Sequence, residues 1–401
     1  MKILMITVFP PMKMPEADHA FHLCKQLANY GFEMHVISQK GCVIPSHPRI
    51  TVYPVMRQWS WSELPRFVWA AHRCSADAVF LIYIASIYNY QPMITFAPTI
   101  VKAFRRDSHF VTLFEDVPGT CPTSLVSRAI RKGLARWVGP SGVDYHFGTL
   151  LHDSNRLIVR SNRIRSPLAE RFSGVNGKSV EIPCPPILPI LPGDDGTVRE
   201  RKRKDLGLKD DEFLIAYFGY IYPGKGVETL LKAFQIVTAQ RRPVRLILIG
   251  GNVGGLSPAY FQKIQGMSKE LGVEDRVTWT GGYAWDSDEP SRCLRAADIC
   301  VLPFDQGVCI HNSSFAGASA HDLPIITTQG TATEPIFIHK TNVFLCSPKD
   351  PEALAQAMET LLAMPELRER LAMGARGLAR EWFSWEKAVE RIIGALKCET
   401  T

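Results

Sequence analysis

A lysine in the middle of the chain stands in a setting that could bind a phosphate. Residues 216–226 read AYFGYIYPGKG, and residues 227–234 read VETLLKAF. An apolar run, a Gly/Pro turn and a helix-period pattern predict a strand, a loop and a helix. Such a loop aims free backbone N–H groups and the Lys225 cation at one point. Because a cation is unfavourable at the positive end of a helix dipole, Lys225 indicates an anionic partner; the alternative is a solvated lysine at a helix start.

Two carboxylates end a buried strand in the first half of the chain. Glu115 and Asp116 follow the apolar run 109–114, and the carboxyl edge of a parallel sheet is where ligands bind. They are candidates for a polar contact to a ligand or for a general base, and the alternative is a surface loop. Lys13 and Glu16, after the first strand, could also face a ligand, although a covering loop is the alternative that we favour there.

Three polar residues begin a helix in the second half. Asn312, Ser313 and Ser314 precede the apolar stretch FAGASA, and Asn or Ser at an N-cap leaves further N–H groups available to a phosphate or sugar oxygen. Plain capping is the alternative.

The chain alternates apolar strands with helical patterns, which predicts an α/β fold with parallel sheets. Strands are predicted from residues 2, 32, 50, 78, 109, 156 and 179 in the first half, and from 213, 244, 276, 298, 324 and 343 in the second. Five prolines and two glycines in 183–196 exclude regular structure and predict the linker. The domains are therefore predicted at 1–190 and 197–383, with a final helix at about 384–401 that belongs to the first domain.

The composition is that of a globular protein with two ordinary cores. The 401 residues are 46% hydrophobic and carry a net charge of +7, too weak to indicate nucleic-acid binding but compatible with an anionic ligand or membrane surface. The ten cysteines show no metal-binding spacing, and a reduced, cytoplasmic setting is predicted. No stretch approaches the roughly 18 apolar residues that a membrane span needs.

Six motifs of the second half resemble, in order and spacing, those of the family four, or group 1, glycosyltransferases. They are the FGYIYPGKGVETLL stretch from Phe218, LILIGG from Leu246, VTWTG from Val277, ADICVLPF from Ala297, AHDLPIITT from Ala320 and NVFLC from Asn342. A single motif of this kind is weak, and six in register are strong. The first half is similar mainly in pattern.

The resemblance implies the GT-B architecture, in which two Rossmann-like domains face each other and the final helix crosses back to the first. It also implies a nucleotide-sugar donor on the second domain, an acceptor on the first, retention of anomeric configuration and no metal or other cofactor. The positions that it assigns to the donor are Gly219, Tyr220, Gly224, Gly250, Gly281, Gly307, Val308, Asn312, Ser313, Ser314 and Glu334. For Glu334 the alternative is a cap of a following helix.

The chain departs from the family pattern at three positions where the family has a charged residue. Tyr220 stands where the family commonly has an arginine, and Cys309 and Gly317 stand where it has a pair of glutamates. Some members of the family are similar to this chain in lacking the first glutamate, so the departures do not imply inactivity.

Four further patterns are explained without special chemistry. The D-x-D sequence at 286–288 is predicted to be an acidic loop and N-cap, and GGNVGG at 250–255 lacks the spacing of a dinucleotide site. The basic run 199–204 is predicted to be a solvated helix. The basic amphipathic pattern 124–137 predicts either a helix that contacts an anionic membrane or an ordinary packed helix.

The sequence thus predicts a retaining, metal-independent hexosyltransferase of glycan or glycoconjugate biosynthesis. In this hypothesis Lys225, Glu115 and Asp116 are the catalytic residues, and transfer takes place in the interdomain cleft. The donor is a UDP-, GDP- or ADP-sugar, and the acceptor is a glycan, a lipid-linked sugar or a small molecule. A non-catalytic binding subunit and a nucleotide-sugar epimerase of the same architecture are the alternatives.

Overall fold

The structure is a computed structural model, and it describes residues 1–12, 14–117, 143–144, 146–193, 196–252 and 258–397. The predicted basic helix at 124–137 and Lys13 lie outside these residues. The chain divides into two compact units, Met1–Pro183 with the segment from Ala388 onward, and Cys184–Lys387.

The first unit contains a sheet of seven strands, in the order β3-β2-β1-β4-β5-β6-β7, and all of its pairings are parallel. The strands are β1 (Lys2–Ile6), β2 (Glu33–Gln39), β3 (Ile50–Met56), β4 (Ala78–Tyr83), β5 (His109–Phe114), β6 (Arg156–Val159) and β7 (Ser179–Glu181). The described helices are α1 (Pro15–Asn29), α2 (Leu64–Arg73), α3 (Ala97–Phe104), α4 (Leu150–Asp153), α5 (Asn162–Arg171) and α6 (Val175–Lys178). Short 3-10 turns lie at Trp61–Glu63, Ala85–Tyr88 and Met93–Phe96.

The second unit contains a parallel sheet of six strands, in the order β10-β9-β8-β11-β12-β13. The strands are β8 (Phe213–Phe218), β9 (Val244–Ile249), β10 (Val277–Trp279), β11 (Ile299–Leu302), β12 (Ile325–Thr328) and β13 (Phe344–Cys346). The described helices are α7 (Thr197–Asp205), α8 (Val227–Ala239), α9 (Pro258–Glu270), α10 (Glu289–Ala296), α11 (Ser313–Ser319), α12 (Pro351–Ala363) and α13 (Pro365–Glu381). The last helix, α14 (Trp385–Leu396), begins in this unit and belongs to the first unit from Ala388 onward. A 3-10 turn lies at Glu274–Arg276.

Both sheets follow from strands that are apolar along their whole length. In β4 the sequence AVFLIY is buried at every position, as is HFVTLF in β5. Continuous burial is typical of strands that are covered on both faces by helices. In each sheet the strand order reverses once, between β1 and β4 and between β8 and β11, and this reversal opens a crevice at the carboxyl edge where loops can bind a ligand.

The predicted alternation of elements is confirmed. All thirteen predicted strands form, and each begins within one residue of its predicted start. A separate last helix also begins next to the predicted residue 384, because α13 ends at Glu381 and α14 begins at Trp385. The indole Nε1 of Trp385 donates a hydrogen bond to the Pro186 carbonyl at 2.9 Å, which fixes the start of the last helix. No described helix is long and apolar enough to cross a bilayer.

One structural prediction is corrected at the entry of the second unit. The basic run lies on α7, but two of its arginines are not simply solvated. Arg199 and Arg203 both form ion pairs with Asp298, and both donate to the Ala296 carbonyl. Because the carbonyls at the end of α10 lack partners within the helix, cations are stabilised there. The run therefore fixes α7 against α10.

The glycine before α8 is the tightest backbone contact of the second unit. Gly226 has φ +71°, and a Cβ built on it would lie 1.8 Å from the Pro303 carbonyl oxygen. Gly272 has a similar φ of +66° but open space around it. Both positions therefore require a positive φ, but a side chain would overlap a neighbouring atom only at Gly226.

We expect Gly226→Ala to lower the free energy of urea unfolding by about 2 kcal/mol or more beyond the effect of Gly272→Ala, because a Cβ at residue 226 overlaps the Pro303 carbonyl. Gly272→Ala serves as the matched control and costs only the conformational penalty of about 1–2 kcal/mol. Equal losses in the two variants would contradict the close approach.

Candidate active site

Three predicted glycines lie together at the carboxyl edge of the second sheet. Gly219 directly follows β8, and its N–H donates to the Ile249 carbonyl at 3.0 Å. Gly250 and Gly281 pair as an isolated bridge. A Cβ on Gly250 would lie 2.3 Å from the Gly219 carbonyl oxygen. Glycine is therefore required where β8 and β9 end, because the two backbones lie against each other there.

Lys225 is held between two aromatic rings beside this edge. Its Nζ lies 5.0 Å from the ring centre of Tyr222 and 5.1 Å from that of Phe304. In the described part of the chain no carboxylate lies within ion-pair distance of Nζ. Gly224, in the same loop, accepts a hydrogen bond from the Asp305 N–H at 3.0 Å. The cation is thus positioned by cation–π contacts while its charge stays uncompensated.

Tyr220 occupies the place of the expected arginine and has a structural contact. Its carbonyl accepts a hydrogen bond at 3.0 Å from the hydroxyl of the buried Tyr217. This bond closes the turn between β8 and Lys225. The loop therefore gains order from Tyr217, while Tyr220 brings no positive charge.

The loop after β11 packs against the end of β12. Gly307 has φ +91°, and a Cβ there would lie 2.4 Å from the Gly330 N atom. Val308 is buried, and its N–H donates to the Thr328 carbonyl at 2.9 Å. The predicted Gly307 and Val308 thus shape this loop through their backbone.

Asn312 and Glu334 hold the same loop from two sides. Asn312 stands at the N-cap position of α11, but its side chain does not cap the helix, and its Oδ1 accepts from the Cys309 N–H at 2.8 Å. Glu334 Oε2 accepts from the Ile310 N–H at 3.0 Å. The alternative that Glu334 caps a following helix is wrong, because residues 335–343 form no helix.

The two serines at the start of α11 differ in exposure. Ser313 is half-buried. Ser314 is only 4% exposed, and its Oγ finds no hydrogen-bond partner among the described residues. A Cβ on Gly219 would lie 3.3 Å from the Ser314 Cβ, so Ser314 is next to the end of β8. An unpaired buried hydroxyl is costly and marks a position where a ligand atom could bind.

A side chain would meet its neighbours at one of the two positions aligned with the family's glutamates. Gly317 lies within α11, and a Cβ there would lie 2.6 Å from Cε1 of Phe218 and 3.0 Å from Cδ2 of Leu188. A larger residue at 317 therefore requires these side chains to shift. Cys309, at the other position, is buried and forms no disulfide.

The first unit has a buried charged group at the carboxyl edge of its sheet. Arg160 follows β6 and is fully buried, and Glu115 follows β5 and is 5% exposed. The guanidinium donates to both carboxylate oxygens, from Nε at 2.8 Å and from Nη2 at 2.6 Å. His19, on α1, brings Nδ1 to 3.0 Å from Glu115 Oε1. The expectation that Glu115 offers a free carboxylate is thereby corrected, since both of its oxygens are occupied.

The electrostatics of this group follow from its burial. Burial opposes ionisation of Glu115, but Arg160 and His19 outweigh it and hold the pKa of the carboxyl well below its usual range. For His19, burial and then the Arg160 charge lower the pKa. At neutral pH the group is therefore an ion pair with a neutral imidazole.

Two other carboxyl groups at this edge form no ion pair with any described residue. Asp116 is exposed, and its Oδ1 accepts from the Val117 N–H at 2.7 Å. Glu16, in the first turn of α1, is half-buried, and its Oε2 is enclosed without a partner among the described residues. Burial raises the pKa of Glu16 to about 7, with further contributions from Glu115, Asp116 and Asp18.

The sequence reasoning missed the residues that position the predicted ones. Arg160 and His19 complete the group around Glu115, and Tyr222 and Phe304 hold Lys225. The available signals were an arginine directly after an apolar strand and a histidine on the apolar face of α1. Within the described ranges, no group of three His, Cys, Asp or Glu side chains is placed to hold a metal ion.

In the predicted acidic loop at 286–288, the carboxylate of Asp288 forms an ion pair with the guanidinium of Arg292 at 2.8 Å.

The sequence of the second unit matches a known family. The profile described as glycosyl transferases group 1 matches residues 198–378. Residues 198–378 belong to the group 1 glycosyltransferases. This glycosyltransferase segment contains Lys225 and all predicted donor-binding positions, from Gly219 to Glu334. The predicted family is confirmed.

Curated relatives of this chain include enzymes with different acceptors in their names. The D-inositol 3-phosphate glycosyltransferase of Xylanimonas cellulosilytica is 30% identical over 245 residues, which are 59% of this chain and 55% of the relative. The lipopolysaccharide 1,2-N-acetylglucosaminetransferase of Salmonella typhimurium is 23% identical over 202 residues, 50% of this chain and 52% of the relative. The chain therefore matches about half the length of these relatives.

Solved structures match the fold of this chain over nearly its whole length. Sucrose-phosphate synthase from Thermosynechococcus elongatus has a TM-score of 0.70 at 18% identity. The match covers 98% of this chain and 97% of the synthase chain. HepE from Anabaena, solved in complex with UDP and glucose, has a TM-score of 0.69 at 16% identity. The match covers 99% of this chain and 100% of the HepE chain. The predicted GT-B fold is thereby confirmed.

We expect Glu115→Gln to lower the free energy of unfolding by about 3–5 kcal/mol, because it leaves the buried Arg160 charge uncompensated. The matched control is Arg376→Gln, which removes an exposed pair with Asp322 and should cost about 1 kcal/mol or less. Urea unfolding at pH 7 measures both. A loss for Glu115→Gln no larger than that of the control would contradict the buried ion pair.

We expect Glu16→Gln to stabilise the protein in a pH-dependent way. The folded pKa of Glu16 is raised from 4.5 to about 7, so the wild-type carboxyl is tolerated at low pH and increasingly destabilises the fold as pH rises from 4.5 to 7. The variant should therefore match wild type near pH 4 and gain roughly 1–3 kcal/mol at pH 8. Urea unfolding across this range, with the exposed Glu170→Gln as control, measures the difference. A gain that does not depend on pH would refute the assignment.

Proposed function

We propose that this protein is a retaining glycosyltransferase that moves a hexosyl group from a nucleoside-diphosphate sugar to an acceptor hydroxyl. The donor lies on the carboxyl edge of the second sheet, and the acceptor lies on that of the first. The single observation that carries the proposal is the uncompensated cation of Lys225, held by Tyr222 and Phe304 within a group 1 glycosyltransferase segment.

Lys225 stabilises the departing diphosphate in this proposal. As the bond between the sugar carbon and the phosphate oxygen breaks, negative charge grows on that oxygen, and a fixed cation lowers the barrier most where charge develops. The hydroxyl of Ser314, which lies next to Gly219 and is unpaired among the described residues, supports a phosphate or sugar oxygen beside it. Asn312 and Glu334 act by holding the loop.

Transfer proceeds on one face of the sugar. The acceptor oxygen forms a bond to the anomeric carbon while the bond to the phosphate oxygen breaks, and the acceptor proton passes to the leaving diphosphate. No protein nucleophile or metal takes part in this scheme. The absence of a carboxylate at Cys309 and Gly317 is compatible with it, because the phosphate itself serves as the base.

Asp116 is the proposed contact for the acceptor hydroxyl. It is exposed at the carboxyl edge of the first sheet, whereas both oxygens of the neighbouring Glu115 are held by Arg160 and His19. Glu115 therefore acts as a positioning residue that orders the turn after β5. Of the two carboxylates, Glu115 thus has a structural role, and Asp116 is available to the acceptor.

The remaining assignments concern the ligands and the setting. UDP, GDP and ADP sugars are the candidate donors, and UDP gains support from HepE, which shares the fold and was solved with UDP and glucose. The acceptor is a glycan, a lipid-linked sugar or a small molecule. A cytoplasmic setting is supported by the eight described cysteines, all of which are free thiols. Peripheral membrane contact through 124–137 and the absence of nucleic-acid binding belong to the same proposal.

A non-catalytic binding subunit is the second candidate function. The observation that favours it is the close packing of Gly317 against Phe218 and Leu188, at the position where the family has its second carboxylate. Such a subunit would bind a nucleotide sugar without turning it over.

We expect Lys225→Ala to lower the rate of sugar transfer by about 10²–10³-fold, because it removes the cation that stabilises the leaving diphosphate. The matched control is Lys232→Ala, which removes an exposed lysine on α8 and should leave the rate within twofold of wild type. The assay uses mixed UDP, GDP and ADP sugars with EDTA present, and mass spectrometry detects the new glycoside and released nucleotide.

The outcomes separate the candidates. Transfer by wild type that survives Lys225→Ala would overturn the proposed role of Lys225. Nucleotide-sugar binding by calorimetry without release of nucleotide would favour the binding subunit. Binding of no nucleotide sugar would overturn both.

A further inference from the structure

A second candidate ligand site lies beside the edge strand of the first sheet. A cavity of about 490 Å³ is lined there by residues of β3 and α2 and by Lys40. None of these residues belongs to the site described above. The volume lies within the range of small-molecule sites in proteins.

The cavity is shaped by an irregularity in β3. Ile37 of β2 pairs with Tyr53, but Gln39 pairs with Met56, so β3 carries one extra residue in this interval. Bulges of this kind redirect side chains and often lie beside functional sites. Pro54 and Val55, in the irregular interval, form part of the wall.

The same irregularity brings two cations together. The Lys40 N–H donates to the Met56 carbonyl at 2.7 Å, which places Lys40 next to Arg57, and both side chains line the cavity. Neither has a carboxylate partner among the described residues. Two uncompensated cations that share a cavity repel each other, and an anion between them relieves that repulsion.

A third cation on the wall is already neutralised. Arg66 is paired with the buried Glu63, which also accepts the Arg57 N–H at 2.9 Å. Glu63 thus fixes the backbone of Arg57 and compensates Arg66. The charge available to a ligand is that of Lys40 and Arg57.

The rest of the wall is apolar, and it indicates which chemical group the ligand carries next to its anionic end. Pro65 and the half-exposed Trp69 line the side formed by α2, and the guanidinium of Arg73 lies 5.1 Å from the Trp69 ring centre. The cavity is several times larger than one phosphate group. Pro54 has no N–H to donate, so this part of the edge strand does not favour addition of another strand. The lining therefore fits a small ligand with a charged end and a ring-sized body.

We propose that this cavity binds a phosphate-bearing ligand, with the phosphate on Lys40 and Arg57 and a sugar- or glycerol-sized body against Trp69. Arginine and lysine suit phosphate because they supply charge-assisted hydrogen bonds, and an aromatic face suits a ring. The ligand is either a free phosphosugar or the headgroup of an anionic lipid. The proposal does not depend on the transferase function.

The test uses the full chain and two pairs of probes. Calorimetry compares glucose 6-phosphate with glucose, and vesicle sedimentation compares phosphatidylglycerol in phosphatidylcholine with phosphatidylcholine alone. The variant carries Lys40→Gln and Arg57→Gln, and the matched control carries Arg106→Gln and Arg201→Gln at two other exposed arginines.

We expect wild type and control to prefer the phosphorylated probe of at least one pair, and the Lys40/Arg57 variant to bind that probe about tenfold more weakly or worse. Trp69→Ala should weaken glucose 6-phosphate more than inorganic phosphate if the free-sugar pair is the one that binds. Preference for glucose 6-phosphate identifies a free phosphosugar as the source, and preference for the charged vesicle identifies a lipid. Lack of preference in both pairs, or equal binding by the variant and wild type, would overturn the proposal. Sugar transfer, measured in parallel, should stay within twofold of wild type in the Lys40/Arg57 variant.

Discussion

The contact of the Gly226 backbone with the Pro303 carbonyl is the constraint on which the carboxyl edge of the second sheet depends. It allows the loop after β8 to lie directly on the segment that follows β11. The hydrogen bond from the Asp305 N–H to the Gly224 carbonyl continues that contact. Phe304 therefore reaches Lys225, and the cation is held by a ring and not by a carboxylate. Backbone proximity thus determines the electrostatics of this edge.

The corresponding edge of the first sheet is organised by charge. Arg160 joins Glu115 after β5 to His19 on α1, and its Nη1 also reaches the carbonyls of Ile182 and Pro183 at 3.4 Å. One guanidinium thereby connects the ends of three neighbouring strands, and it is buried only because Glu115 compensates it. The two sheets share an arrangement of strands and reach a fixed carboxyl edge by different physical means.

The sequence was sufficient for the fold because the fold depends on local signals. Apolar strands, helix-period segments and the Gly/Pro turn around Lys225 are each contained in short stretches, and the resulting strands and family are confirmed. Side-chain pairing depends on contacts between distant residues. Glu115 and Arg160 are 45 positions apart, and no periodicity relates them. For Asn312 the alternative of plain capping is wrong, because its Oδ1 accepts from the Cys309 N–H three residues earlier and not from an N–H of α11.

The packing around Gly317 limits how the sequence of this protein can change. The nearest atoms to a side chain at this position belong to Phe218 and Leu188, at the end of β8 and in the segment that precedes α7. Because these are the outer atoms of side chains, a larger residue at 317 requires the Phe218 ring or the Leu188 side chain to shift. Such a shift changes the packing of α11 against β8. Substitutions at 218 and 317 are therefore coupled, and their effects on stability should not add.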